Sequence, residues 1–200
     1  MKIGITGSLS SGKSEVAKII SKKKYPLFSA DKIVKNLYSS SNFKKKISRM
    51  FGVKNKNLKK EVKNYLLKRK ITLKEISKII HPYVRKKMHA FMNLNKKKKM
   101  MILEIPLLIE SKLYKHFDII ILVMSSKNIR LKRYVKKGGS KTTFKFLDKN
   151  QIPQQKKIKF CDFIIVNNKS KVILKNKVND IMYRINEWNI FRFRNYRFIL

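Results

Sequence analysis

The first two dozen residues constrain the fold more than any other stretch. "KIGIT" at 2–6 reads as a short buried strand, apolar after Lys2. "GSLSSGKS" at 7–14 follows at once, with Gly7, Gly12, Lys13 and Ser14 in the spacing G-x-x-x-x-G-K-S. Residues 13–24 then carry Val16, Ala17, Ile19 and Ile20 on one helical face. A strand that feeds a glycine loop and a helix aims successive backbone N–H groups, and the helix N-terminus, at one point. That is a cradle for phosphate oxygens. In such a cradle Lys13 reaches the β- and γ-phosphates and the Ser14 hydroxyl ligates Mg²⁺. A serine-rich turn that merely precedes a helix explains the residues but not the strand, spacing and helix together.

The rest of the chain repeats the strand-and-helix theme. Apolar runs bounded by polar residues predict four further strands: "YPLFS" at 25–29, "MMILEI" at 100–105, "DIIILVM" at 118–124 and "DFIIVNN" at 162–168. Residues 126–137 and 171–189 read as helices between or after them. Such alternation predicts a parallel sheet covered on both faces. The interval 32–97 is too long for one crossover and reads as an insertion of several helices, "LKEISKIIHPYVRKKMHAFMN" at 73–93 among them, with turns at "YSSSNF" (38–43) and "FGVKNKN" (51–57). A second insertion, 136–160, opens with "KKGGS" and reads as a polar, mobile lid able to close over phosphates. The expected division is a core of 1–31, 98–135 and 161–188, the two insertions, and a basic aromatic tail at 189–200.

At 200 residues with 43% hydrophobic content, the chain can bury one α/β core. Its single cysteine, Cys161, excludes a disulfide framework and suits a reducing compartment. The aliphatic run "IIILVM" at 119–124 is too short to span a bilayer, and no secretory signal pattern opens the sequence, so export is not expected. The net charge of +40 invites a nucleic-acid reading. Yet lysine is scattered through almost every segment, and asparagine, isoleucine and phenylalanine rise with it. This is the pattern of compositional drift more than of a binding stripe.

Several polar residues stand where chemistry could use them. Asp31 follows the second strand and could accept a hydroxyl proton or hold a metal-bound water; equally, it could cap the helix of "ADKIVKNL". In "IIHPYVRKKM", His81 and Pro82 are expected ahead of a helical turn carrying Arg85. His81 lacks companions at metal-ligand spacing and reads as a packed or capping imidazole, whereas the Arg85 fork suits phosphate oxygens. Glu104 ends the third strand, where a carboxylate could contact Mg²⁺ through water. Glu110 is open between a helix-start charge and a substrate contact, and the apolar members of "PLLI" favour packing.

Taken in order, the glycine loop, "SADKIVKNL", "HPYVR", "EIPLLIESKLY", "RLKR" and "QIPQQKKIKFCDFIIVNN" resemble the bacterial dephospho-CoA kinases. The resemblance runs from Met1 to Asn168 and more loosely to Trp188. The loop is common to many kinases. "HPxVR" with "PLLxE" and the series Gln151, Lys157, Asp162, Asn167 is much more specific. The resemblance implies an α/β, P-loop NTPase-type three-layer fold with a five-stranded parallel sheet, a helical CoA-binding insertion and a lid. It implies ATP-dependent phosphorylation of the ribose 3′-hydroxyl of dephospho-CoA, with Mg²⁺. Asp31 matches the second aspartate of the family's "DAD", the base for that hydroxyl, and joins Lys13 as catalytic. Gly7, Ser10, Ser11, Gly12, Lys13, Ser14 and Glu15, with lid cations Arg133 and Lys137, fall to ATP. His81, Arg85, Leu108 and Glu110 join Asp31 on the acceptor side, and Ser14 and Glu104 on the metal.

Against the family's usual "GGIGSGKS", Ser8 and Ser10 replace glycines, Ser29 stands at the first aspartate of "DAD", and Lys137 replaces a common arginine. These departures predict slower turnover and no change of reaction, and restoring glycine at 8 and 10 is expected to help. The expected working form is a cytoplasmic monomer with no specific nucleic-acid or membrane partner. Two other readings share the loop: a kinase of another small acceptor, and a basic nucleic-acid binder on a degenerate kinase scaffold. The tail "NIFRFRNYRFIL" could stack on nucleic acid, lie on a membrane, or pack on itself.

Overall fold

The computed structural model describes residues 1–22, 24–53, 57–188 and 198–199. Two compact units emerge: residues 1–29 with 95–200, and residues 30–94.

The first unit is built on a parallel sheet of β1 (Lys2–Gly7), β2 (Leu27–Ser29), β3 (Met101–Glu104), β4 (Ile119–Met124) and β5 (Phe163–Val166), in spatial order β2-β3-β1-β4-β5. All five predicted strands form; the first runs one residue further, to Gly7, and the other four are shortened by one to three residues. Neighbours pair in parallel, Ile3 with Ile102 on one side and with Ile119 on the other. A two-residue strand, β6 (Phe198–Ile199), adds to the edge beside β5. The remaining tail positions, 189–197 and 200, lie outside the described residues.

Strand order turns back on itself around β1, and parallel sheets bind ligands at the carboxyl ends of strands beside such a reversal. The phosphate loop leaves β1 at that place. Burial fixes the layer: Ile3, Ile5, Ile119, Ile121 and Phe163 meet Val16, Ala17 and Ile20 of α1 (Lys13–Ser21). Leu174, Val178, Ile181 and Ile185 of the C-terminal helix (Lys171–Trp188) complete this cluster. Each fully buried aliphatic side chain contributes about 1.5–3 kcal/mol relative to exposure. The opposite face of β1 is covered at Gly4 by Leu108 and Phe117, which leave no room for a Cβ.

The second unit holds α2 (Ala30–Ser39), α3 (Ser41–Phe51), α4 (Leu58–Leu67) and α5 (Leu73–Leu94). Its core includes Phe43, Ile47, Leu58, Val62 and Met88. Phe43 meets the rings of Tyr38 and Tyr83 edge-on, at centroid distances of 5.3 and 6.2 Å. A capping box opens α5: Thr72 N–H donates to Glu75 Oε2 and Glu75 N–H to Thr72 Oγ1. As the helical reading of 73–93 expects, α5 runs through Pro82 without a break, so His81 and Pro82 lie inside the helix that carries Arg85 and not ahead of it. One backbone hydrogen bond is forfeited there, and the buried Ile79, Ile80, Val84 and Met88 on either side hold the helix together.

Asp31, grouped with the sheet in the expected division, belongs to α2 in this second unit. Returning to the first unit, α6 (Lys127–Lys136), α7 (Lys141–Lys149) and α8 (Gln154–Lys157) follow β4, and α9 is Lys171–Trp188. No helix among the described residues is long and apolar enough to cross a membrane.

Candidate active site

Three residues of the loop at 7–14 have positive φ, Gly7 at 151°, Ser10 at 58° and Gly12 at 106°. Gly12 caps α1 through its carbonyl, which accepts from the Glu15 and Val16 amides at 3.0 and 3.1 Å. No side chain caps this N-terminus, so its leading amides remain available for an anion. A Cβ on residue 12 would collide with Asn167 Nδ2. Glycine is thus required there twice, by torsion and by space.

Ser10 is a different matter. A side chain in the left-handed region costs about 1–2 kcal/mol, partly offset by the extra unfolded-state freedom of a glycine, about 0.5–1 kcal/mol. Ser10→Gly is therefore expected to stabilise the protein by about 0.5–1 kcal/mol. Ser8 is absent from the positive-φ residues. Ser8→Gly has no strain to relieve and should cost about as much as Ser10→Gly gains. Chemical denaturation of the two variants reads both signs. Of the two serines singled out in the sequence, one is strained.

Lys13 is 7% exposed, and its Nζ donates to Ser8 O at 2.9 Å, so the ammonium lies folded across its own loop. Ser11 Oγ is buried without a hydrogen-bond partner in the same loop. Ser14 is exposed, and its hydroxyl donates to Glu104 Oε1 at 2.5 Å. Glu104, at the tip of β3, is 3% exposed, and its second oxygen accepts from Ser29 Oγ at 2.9 Å. One buried carboxylate therefore joins the start of α1 to the end of β2 through two hydroxyls. The Glu15 carboxylate makes a long contact, 3.9 Å, with exposed Lys171.

On the other flank, Arg133 of α6 donates to Ser11 O at 3.3 Å, Ser125 Oγ at 3.4 Å and Asn167 Oδ1 at 3.4 Å. Burial pulls its guanidinium below the ordinary arginine value. Lys137, one turn on, is exposed at the C-cap of α6. The expected lid contains α7, whose Phe144 is buried and whose Asp148 pairs with Arg130.

The four-residue series of the resemblance acquires physical content. Gln151 Oε1 accepts from the Leu9 amide of the phosphate loop at 3.0 Å. Lys157 Nζ lies 2.7 Å from Glu110 Oε1. Asp162 accepts from the Ile120 amide and so seats β5 on β4. Asn167 Nδ2 donates to Ser11 O at 2.8 Å. Spacing alone gave none of these partners, nor any role for Arg130 and Asp148.

Glu110 and Leu108 were expected on the acceptor side. Leu108 is fully buried over Gly4, its side chain spent on packing. Glu110 accepts from the Ile152 amide at 3.2 Å and faces Lys157, which is 0% exposed. Removing one partner of a buried pair strands the other charge. Glu110→Ala is therefore expected to cost about 3 kcal/mol and lower the melting temperature by about 6–12 °C. A raised KM for the acceptor with unchanged melting would assign Glu110 to substrate contact instead.

The remaining residues expected on the acceptor side lie in the helical unit. Asp31 is exposed in the first turn of α2; since the helix starts at Ala30, Asp31 stands inside it and is not the cap. His81 and Arg85 are one turn apart on α5. Burial first, then the charge of Arg85, pulls the His81 imidazole below its ordinary value. No group of three or more His, Cys, Asp or Glu side chains gathers among the described residues.

A sequence profile of the dephospho-CoA kinases matches residues 1–172. The dephospho-CoA kinase of Fusobacterium nucleatum is 32% identical over 186 residues, covering 89% of this chain and 95% of that protein. The crystal structure of a Thermus thermophilus protein superposes with a TM-score of 0.72 at 24% identity, covering 94% of this chain and 97% of that one, a likeness of fold. The dephospho-CoA kinase of Campylobacter jejuni superposes with a TM-score of 0.65 at 28% identity, covering 94% of this chain and all (100%) of that one. With the phosphate loop, Lys13 and the Ser14–Glu104 contact in place, the chain belongs to the dephospho-CoA kinase family and catalyses the ATP-dependent phosphorylation of dephospho-CoA in coenzyme A biosynthesis.

Proposed function

We propose that the acceptor is the ribose 3′-hydroxyl of dephospho-CoA, that Asp31 takes its proton, and that residues 7–14 hold the phosphates of ATP. The observation that carries this reading is the loop: an uncapped helix start, a buried Lys13 ammonium on a loop carbonyl, and a serine hydroxyl on a buried carboxylate. Phosphoryl transfer asks little covalent work of a protein and depends on positioning and charge neutralisation.

Mg²⁺ fits the oxygen donors present. Ser14, Ser29 and Glu104 offer hydroxyls and one carboxylate, hard ligands with no competing sulfur or imidazole. Ser14 would hold the ion directly and Glu104 through water. When bound, Mg²⁺ neutralises charge on the β- and γ-phosphates.

The chain's own residues do the rest. Lys13 exchanges the Ser8 carbonyl for phosphate oxygens, and Ser11 Oγ gains the partner it lacks. Arg133, already on the Ser11 carbonyl, and Lys137 supply cations from the lid side and exclude water. Asp31 follows the end of β2 by two residues, so connectivity keeps it near the sheet's carboxyl edge. Arg85 suits the acceptor's phosphates, with neutral His81 beside it. The working form is a cytoplasmic monomer without a nucleic-acid partner.

ADP release measured across an acceptor panel of dephospho-CoA, nucleoside monophosphates and shikimate tests the reading. Release that requires Mg²⁺ and dephospho-CoA supports it; preference for another acceptor overturns it.

A further inference from the structure

We propose that Arg130, acting with Gln151, is a positioning residue that fixes the apex of the phosphate loop from the lid side. This rests on the reading of residues 7–14 as the loop that holds ATP.

Leu9, at that apex, is gripped at both ends of its backbone. Its amide donates to Gln151 Oε1 at 3.0 Å, and its carbonyl accepts from Arg130 Nη1 at 3.4 Å. Both partners come from sequence more than a hundred residues away, on either side of α7. Arg130 is 4% exposed and engages three segments at once. Nε donates to Ser125 O, at the end of β4, at 3.1 Å. Nη1 also meets Asp148 Oδ1 of α7 at 2.5 Å, and the guanidinium carbon stands 5.5 Å from the Phe144 ring centre.

A buried cation is retained only where its partners repay lost hydration. Here the carboxylate alone would do that. The extra hydrogen bonds go to the carbonyls of Leu9 and Ser125, and a planar fork with five N–H groups can serve them all together.

What Leu9 separates gives the grip its consequence. Before it, the Ser8 carbonyl receives Lys13 Nζ; after it, Ser10 holds a left-handed torsion that serine disfavours. Both features set where the loop's amides and its lysine point. Holding the Leu9 peptide therefore keeps Ser10 in its costly conformation and Lys13 in place. The lid helix α7, through Asp148, shares the same guanidinium, so the apex of the loop and the base of the lid are fixed together.

Arg130→Lys tests this, because lysine keeps the ion pair with Asp148 but loses the fork. Steady-state kinetics and thermal melting are measured on Arg130→Lys, on Arg130→Gln/Asp148→Asn, which removes both charges, and on Lys13→Ala. The expected result is that Arg130→Lys melts near wild type, keeps its KM for dephospho-CoA within about two-fold, and loses about 10-fold or more in kcat/KM for ATP. The double variant shows the same split, since it restores no bond to Leu9. If Arg130 were only a brace, lysine would rescue. Arg130→Lys within about two-fold of wild type for ATP overturns the proposal, as does a loss that vanishes well below the melting temperature. Lys13→Ala at wild-type turnover overturns the reading of the loop, and this proposal with it. An inactive Lys13→Ala beside an active Arg130→Lys overturns this proposal alone.

Discussion

Lys13→Ala lowers dephospho-CoA-dependent ADP production by at least about 100-fold, the scale of removing one preorganised electrostatic stabiliser. The ammonium is buried and rests 2.9 Å from a carbonyl of its own loop, so little reorganisation separates it from a phosphate oxygen. Charge spreads over the equatorial oxygens as the phosphoryl group moves. Alanine removes the loop's own cation from that charge. The fold should survive, because Lys13 pairs with the loop and not with the sheet's apolar cluster. Both kcat and the ATP KM are expected to worsen. A loss under about 10-fold with a normal melting curve would remove Lys13 from the catalytic machinery.

Asp31→Asn is the second large effect. Asparagine keeps the size of the side chain but cannot accept a proton, and general-base catalysis contributes about 10²–10⁴-fold. The expected result is a kcat at least about 100-fold lower with the KM for dephospho-CoA little changed. Asp31 is exposed in the first turn of α2, and a melting curve of the variant separates lost chemistry from lost folding. Full ADP production by this variant would sink Asp31 as the base while leaving the phosphate loop untouched.

These two residues stand out in the sequence for different reasons. Lys13 sits in a local pattern whose physics is local as well: strand, glycine turn and helix start lie within a few residues. The strands were legible because burial on both faces demands unbroken apolar runs such as Ile119–Met124. Asp31 was ambiguous from its neighbours alone, since an aspartate at a helix start has a structural role available to it. Only the order of the other motifs lifted it out.

What stayed hidden is non-local. Leu9 with Gln151, and Ser11 with Asn167, join positions 142 and 156 residues apart. No spacing announces such pairs, because the sheet's topology brings them together. Glu110 illustrates the converse. Its motif singled it out, but only the fold showed it facing buried Lys157. The helix over 73–93 was legible despite Pro82, because buried residues at helical spacing flank the proline on both sides.

The departures from the family's loop separate in the same way. Ser10 carries left-handed strain and Ser8 does not. Ser29 donates to Glu104 where an aspartate would add a second negative charge. The carboxylate that meets Ser14 therefore works with one fewer anionic neighbour than the family pattern supplies. The expected cost of these departures therefore lies in cation affinity and loop strain, with the reaction unchanged.

The most direct measurement follows the phosphate itself. With γ-labelled ATP, Mg²⁺ and dephospho-CoA, the label should appear on the ribose 3′-oxygen, one coenzyme A per ADP released. Label in free phosphate, on another hydroxyl, or released as fast without dephospho-CoA would contradict the assignment.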